Sequence, residues 1–324
     1  VDEEIGLLGA DGFDCSVLKG RRMINLDSEN EGSLWVSCAG GVSGNSYLPV
    51  QRVDASGEKL SVKICGLTGG HSGAEIDKNR ASANILMGQF LYELGAVCGY
   101  ALAEIEGGQK DNAIPRECQA SILVLPEEVS AVTSLAEKMQ KDFREEYTGS
   151  DENITIQVTK EGEADASVLH PTSQEKVIFY LMNLPFGVKK MSGTIEGLVE
   201  TSCNPGILKL YGDELFVQTS IRSAVGTAKE ALSHKIQYLT EFLGGEYDTE
   251  GDYPAWEYRK DSPLRDKMVE VYRDLYGKEL KVVAIHAGLE CGLFYERMEG
   301  LDCTSLGPDI LDIHTSEERL DMGS

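Results

Sequence analysis

The chain has 324 residues, 41% of them apolar, and 54 acids against 30 bases give it a net charge of -24. That length suits two domains with a substantial core, and the apolar share excludes a disordered chain. The acid excess argues against nucleic acid and an anionic membrane surface as partners, and no run approaches the roughly 18 uninterrupted apolar residues of a membrane span.

In chain order, "RRMINLD" reads as a short apolar strand ending on Asp27, and "SLWVSCAGG" as a second strand ending in a glycine hinge. From about residue 45 the texture changes. "EKLSVKICGLTGG" reads as a strand, and "NRASANILMGQFLYELG" has helical spacing with a Gly stop. "AVCGYALAEIEGG" and "AIPRECQASILVL" read as two more strands. "PEEVSAVTSLAEKMQKDFREEY" is an amphipathic helix with Pro and acids in its first turn, and "NITIQVTKEG" is a strand. That order, β-α-β-β-α-β, is a ferredoxin-like unit.

A degenerate second copy follows. It has a helix at "SQEKVIFYLMNLP", strands near "GLVETSC" and "GDELFVQTSIRS", a helix at "TAKEALSHKIQYLTEFLGG" and a strand near "GEYDTEG". After "DYPAWEYRKDSP" the α/β texture returns, with a helix "LRDKMVEVYRDLYG", a strand "KVVAIHAG", a helix from "LECGLFYERM" and a strand at "DCTSLG". The expected architecture is α/β: a catalytic domain split into 1–44 and 254–324, with an α+β lid of duplicated ferredoxin-like units inserted at 45–253. The eight cysteines are scattered with no C-x-x-C pair. They read as reduced thiols of a cytoplasmic protein rather than a disulfide framework. No charged segment followed by an apolar one marks a signal peptide.

Several residues are able to do chemistry. Glu3 and Glu4 are adjacent, and Asp27 ends a strand, where ligands bind in open α/β sheets. His314 follows a Gly-Pro turn. Carboxylates with one imidazole suit Zn, Mn or Co rather than a thiolate zinc site. In a chain this acidic the same cluster also reads as solvated surface. Gly69, Gly70 and Gly73 bracket His71, which could donate to an oxyanion or merely sit in a Gly-rich connection. Strand alternation puts Phe216, Gln218, Ser220 and Arg222 on one face. Arg222 there reads as a carboxylate clamp or as a surface Arg.

The stretches "DEEIGLLGA", "INLDSENEG", "CAGG", "GLTGGHSGAEI", "DNAIPRE", "SIRS", "IHAGLECGLF" and "SLGPDILDIHTSEERLD" run in one order from the first residues to the last. With them the chain resembles the M20 metallopeptidases, most closely their aminoacyl-histidine dipeptidase branch. The resemblance implies Glu3 as the general base acting on water, and Glu4, Asp27 and His314 as metal ligands of a site for two zinc ions. It implies His71, from the lid or from a neighbouring subunit, as the oxyanion donor. Asn112 and Arg222 would bind the substrate backbone or its terminal carboxylate. His286 and Glu290 would line the substrate side, or form a structural turn opening a helix.

The implied activity is metal-dependent hydrolysis of dipeptides, Xaa-His or broader, by a homodimer joined through the lid. The family's H-x-D motif and bridging Asp have no counterpart here, and the family continues past "ERLDMGS" into a further helix. The resemblance therefore implies a fragment of a longer peptidase. Two other expectations stand beside the dipeptidase: a catalytically incomplete chain whose lid is a dimerisation module, and an M20 hydrolase of tripeptides or acylated amino acids.

Overall fold

The structure is a computed structural model that describes residues 7–312 and 317–324. Glu3, Glu4 and His314 lie outside the described residues. The chain opens with α1 (Leu8–Asp11), β1 (Arg22–Asn25) and β2 (Ser33–Cys38). Next come β3 (Gly40–Pro49), β4 (Arg52–Cys65), β5 (Gly70–His71), α2 (Ala83–Val97), β6 (Tyr100–Gly107) and β7 (Ala113–Ile114). They are followed by β8 (Cys118–Val124), α3 (Val129–Glu146), β9 (Thr155–Leu169), α4 (Pro171–Asn183) and β10 (Gly187–Met191). Then come β11 (Val199–Tyr211), β12 (Glu214–Ser223), α5 (Gly226–Phe242) and β13 (Glu246–Tyr253). The last elements are α6 (Pro263–Tyr276), β14 (Lys281–Ile285), α7 (Glu290–Arg297), β15 (Asp302–Ser305), β16 (Ile310–Leu311) and β17 (Arg319–Leu320).

Local chemistry accounts for the ends of these elements. Ser262 caps α6, its hydroxyl accepting from the Arg265 amide at 3.1 Å, with Pro263 at the first helical position. Gly277 closes the same helix at φ +65, a left-handed conformation that glycine adopts without strain. In α3, Val132, Leu135, Ala136, Met139 and Phe143 recur at helical spacing and form its buried stripe. Ala96 and Val97 were expected to begin a strand but finish α2, because the turn-closing bond from the Cys98 amide to the Leu94 carbonyl (2.9 Å) holds them helical.

Two sheets organise the fold. A four-stranded sheet runs β1-β15-β2-β14, with β1 parallel to β15 and β14 parallel to β2. A nine-stranded sheet runs β13-β3-β12-β11-β6-β8-β4-β9, with β10 on the free half of β11's edge. Within it, β4, β6, β8 and β9 are the four strands of the first ferredoxin-like unit, and they stand in the order second, third, first, fourth. The strands β3, β11, β12 and β13 repeat that order.

The second unit is therefore less degenerate than its local sequence implies. Its first strand is β3, which precedes the whole first unit, so one unit is nested inside the other. The β6–β11 pairing, Leu208 with Gly107 and Lys209 with Glu106, joins them into one sheet. Helices cover a continuous core that includes Leu60, Val62, Ile64, Leu86, Phe90, Val132 and Ile236.

The chain passes from the small sheet to the large one between Cys38 and Gly40 and returns after Tyr253. The two crossings are tied together. Cys38 and Trp256 exchange both backbone hydrogen bonds at 3.1 Å, and the Ala39 amide is shared by the Ile285 and Ala287 carbonyls. Trp256, Cys38, Cys291 and Cys303 form a second core there. All eight cysteines are free thiols. Among the described residues no helix is long and apolar enough to cross a membrane.

Candidate active site

The loop after β4 is built to present one histidine. Its two feet are held by a single buried carboxylate: Asp151 accepts from the Thr68 amide at 2.5 Å and from the Ala81 amide at 2.7 Å. Inside the loop Arg80 pairs with Glu75 at 2.8 Å and donates to the Gly69 carbonyl. Glu75 in turn accepts from the His71 amide at 2.9 Å. Gly70, at φ +135, adopts a backbone conformation that L side chains rarely take, and glycine there also leaves room for the Arg80–Glu75 pair. Gly70 and His71 pair with Ile114 and Ala113, and the Ser72 amide donates to the Asn112 carbonyl at 2.9 Å. The turn carrying Asn112 thus lies beside His71, with the Asn112 side chain exposed.

The protonation of His71 follows from its neighbours. Nδ1 accepts from the Gly73 amide (3.1 Å) and the Ala74 amide (3.0 Å), which assigns the proton of the neutral ring to Nε2. Burial lowers the imidazole pKa below its usual value, and the Arg222 cation adds to the effect; Glu75 opposes both. His71 is therefore a neutral donor through Nε2.

Arg222 is buried at the end of β12. The alternation read from the sequence holds, since Phe216 and Gln218 share its face and are only partly buried, but Arg222 itself is no surface residue. Its Nη1 donates to the Tyr253 hydroxyl at 2.8 Å, and its Nε has no partner among the described residues. None of the ion pairs among the described residues includes it. A buried guanidinium with no counter-ion among the described residues, in a chain of net charge -24, is a candidate partner for a ligand anion.

His286 lies on the other side. It follows β14, is buried, and shares a hydrogen bond of 2.7 Å between Nε2 and the Ser202 hydroxyl. Burial, and secondarily the Arg222 charge, pulls its pKa down to about 4, so the ring is neutral. Gly73 is where these groups converge. A Cβ at that position would stand 2.6 Å from the His286 carbonyl oxygen, 3.0 Å from His71 Cε1 and 3.2 Å from Arg222 Nε. His71, Arg222 and His286 thus meet within one chain.

The carboxyl ends of the small sheet carry the other group. Asp27 is exposed two residues beyond β1, and its carboxylate has no partner among the described residues. Asn25, the last residue of β1, donates to Glu290 at the start of α7 (3.2 Å). Asn25 pairs with Ser305, and Gly307 packs against Ser28, where a Cβ would meet the Ser28 carbonyl at 1.6 Å. The segment leading toward 313–316 therefore leaves the sheet beside Asp27. An exposed, unpaired carboxylate at a strand end fits a divalent cation, which prefers such hard oxygen donors. Among the described residues no three His, Cys, Asp or Glu side chains cluster as a metal site.

Sequence reasoning missed Asp151, Tyr253 and Ser202. Asp151 acts across 83 residues of sequence on Thr68, and Ser202 across 84 on His286, separations that no local pattern signals.

Comparison with known proteins places the fold. Residues 62–151 match a family described as the peptidase dimerisation domain. A structure titled aminoacylhistidine dipeptidase from Vibrio alginolyticus superposes with a TM-score of 0.93 at 33% identity, over 99% of this chain and 66% of that one. The fold is that of the M20 metallopeptidases, and the chain belongs to that family. Within that family it falls in the dipeptidase branch. It is 32% identical to the cytosol non-specific dipeptidase of Escherichia coli (strain K12), over 99% of this chain and 67% of that protein. The chain thus spans about two thirds of the length of the relatives it matches.

Proposed function

We propose that the whole protein hydrolyses dipeptides, those ending in His among them, and that this chain supplies the groups that read and polarise the substrate. The observation that carries the reading is Arg222, buried with no counter-ion among the described residues, next to a neutral His71 whose Nε2 proton meets no acceptor among them.

The free carboxylate of a short peptide pairs with the Arg222 guanidinium through two N–H donors. A charge fixed there holds the scissile carbonyl within reach of His71, which donates from Nε2 to the oxygen as negative charge develops on it. Glu3 takes the proton of the attacking water as the C–O bond forms, and delivers it to the departing amine as the C–N bond breaks. Asn112, His286 and Glu290 line the substrate. Glu4, Asp27 and His314 would hold divalent metal, two zinc ions in the complete protein with Mn or Co as substitutes. When bound, the metal polarises the carbonyl and lowers the pKa of water.

We also propose that 1–44 with 254–324 form the catalytic domain and 45–253 the lid. The change of sheet after Tyr253 supports the second junction; at the first, the sheet changes between Cys38 and Gly40, so β3 moves the start of the lid to Gly40. A homodimer through the lid is supported by the dimerisation-domain match at 62–151, and a cytoplasmic location by the cytosolic relative. The test is hydrolysis of dipeptides ending in His by the full-length protein, before and after Glu3→Ala. The reading predicts that turnover collapses in the variant; unchanged turnover ends the assignment.

A further inference from the structure

We propose that Tyr253 is a positioning residue that sets the carboxylate specificity of the site through Arg222; the inference rests on the reading of Arg222 as the carboxylate partner. The strand β13 contains one extra residue just before its end. Glu250 pairs with Ser43 and Tyr253 with Gly41, so three steps on β13 match two on β3. Gly251, at φ +61, lies within this β-bulge. Without the extra residue, position 252 would face Gly41, and the Tyr253 side chain would point to the opposite face of the sheet.

With the bulge, Tyr253, Gly41 and Arg222 line up across three adjacent strands, because Gly41 also pairs with Arg222. Glycine at 41 leaves the path between them open, since a Cβ there would lie 2.5 Å from the phenol oxygen. Gly288, in the loop after His286, is cut away for the other edge of the ring: a Cβ there would lie 2.8 Å from Tyr253 Cε2. The backbone is anchored as well. Lys229, itself buried, donates to the Tyr253 carbonyl at 2.9 Å and pairs with Asp252.

The result is a fixed guanidinium. Its Nη1 is spent on the Tyr253 oxygen, its Nε is enclosed with no partner among the described residues, and the Nε–Nη2 edge is the one whose geometry matches a carboxylate. Holding that edge in place before substrate arrives removes the cost of ordering a long side chain on binding. The hydroxyl should therefore matter only for substrates with a free carboxylate.

Tyr253→Phe in the full-length protein tests this, with a dipeptide and its C-terminal amide as paired substrates. The variant keeps the ring and both glycine contacts and removes one oxygen. KM for the dipeptide should rise about tenfold, the scale of a hydrogen bond to a charged group, with kcat little changed and the amide unaffected. Arg222→Ala should abolish the preference for acid over amide, and adding Tyr253→Phe to it should change nothing further. If Arg222→Ala keeps the preference, the reading of Arg222 fails. If Arg222→Ala loses it while Tyr253→Phe leaves the dipeptide KM unchanged, only the role of Tyr253 fails. Equal losses on acid and amide, or a Tyr253→Phe protein that no longer folds, overturn the proposal by making the hydroxyl a structural requirement.

Discussion

Gly73→Ala inserts one methyl group where the His71 loop, the small-sheet loop and the guanidinium meet. The backbone at 73 is not left-handed, so alanine costs nothing in conformation; the whole effect is one of space. The new carbon would stand 2.6 Å from the His286 carbonyl oxygen, closer than real Cβ atoms approach, and that oxygen belongs to a backbone tied to Ala39 through its neighbours. His71 Cε1 at 3.0 Å and Arg222 Nε at 3.2 Å block retreat in the other directions. Relief needs a displacement of the His71 loop by several tenths of an ångström or more. Overpacking of this kind costs about 1–3 kcal/mol of stability, and a shift approaching 1 Å in a reacting group costs about 100-fold in rate. Steady-state kinetics on a dipeptide should show kcat/KM down by about two orders of magnitude, with a folded protein by circular dichroism. Gly20→Ala, with nothing within 4 Å of its new carbon, is the control and should be silent. Wild-type kcat/KM in Gly73→Ala would refute the convergence of these three groups on the substrate.

His71→Asn keeps an acceptor for the Gly73 and Ala74 amides while removing the Nε2 donor. It should lower kcat by about 10²–10³ with KM nearly unchanged, the signature of a lost oxyanion donor; a rise in KM alone would place His71 in ground-state binding instead. The second expectation concerns acid. His286 has a folded-state pKa of about 4 against 6.5 for the free side chain, so the unfolded state binds the proton more readily. Its contribution is fully present above about pH 6.5 and is lost as pH falls toward 4, roughly 3 kcal/mol in all. Denaturant melts between pH 7 and 4 should show this loss, and His286→Gln should flatten the profile in that window. A slope unchanged by the substitution would reassign the acid sensitivity to other groups.

The first ferredoxin-like unit was legible because its apolar residues recur at the periods that strands and helices require: Leu60, Val62 and Ile64 along β4, and the stripe from Val132 to Phe143 along α3. The strand β3 was not. Its sequence, GGVSGNSYLP, has too few large apolar side chains to show a period of two, yet it lies between β12 and β13 inside the sheet. Its glycines are spaces for the rings of the neighbouring strand. A Cβ at Gly44 would lie 2.2 Å from the Tyr247 oxygen, and one at Gly41 would strike Tyr253. Nesting hid the rest, since β3 and its partner β12 are separated in sequence by the entire first unit.

The candidate site divides the same way. Alternation along "ELFVQTSIRSA" identified the face that carries Arg222, but its burial depends on Tyr253 and Gly73 arriving from distant segments. The glycines around His71 were visible as a motif. Which ring nitrogen holds the proton was not, because that is fixed by two backbone amides in the folded turn.

Metal dependence of turnover is the most direct test of the account. The full-length protein, stripped by a chelator and assayed on a dipeptide ending in His, should lose at least about 100-fold in kcat and recover when Zn, Mn or Co is restored. Turnover that persists in metal-free protein would contradict it.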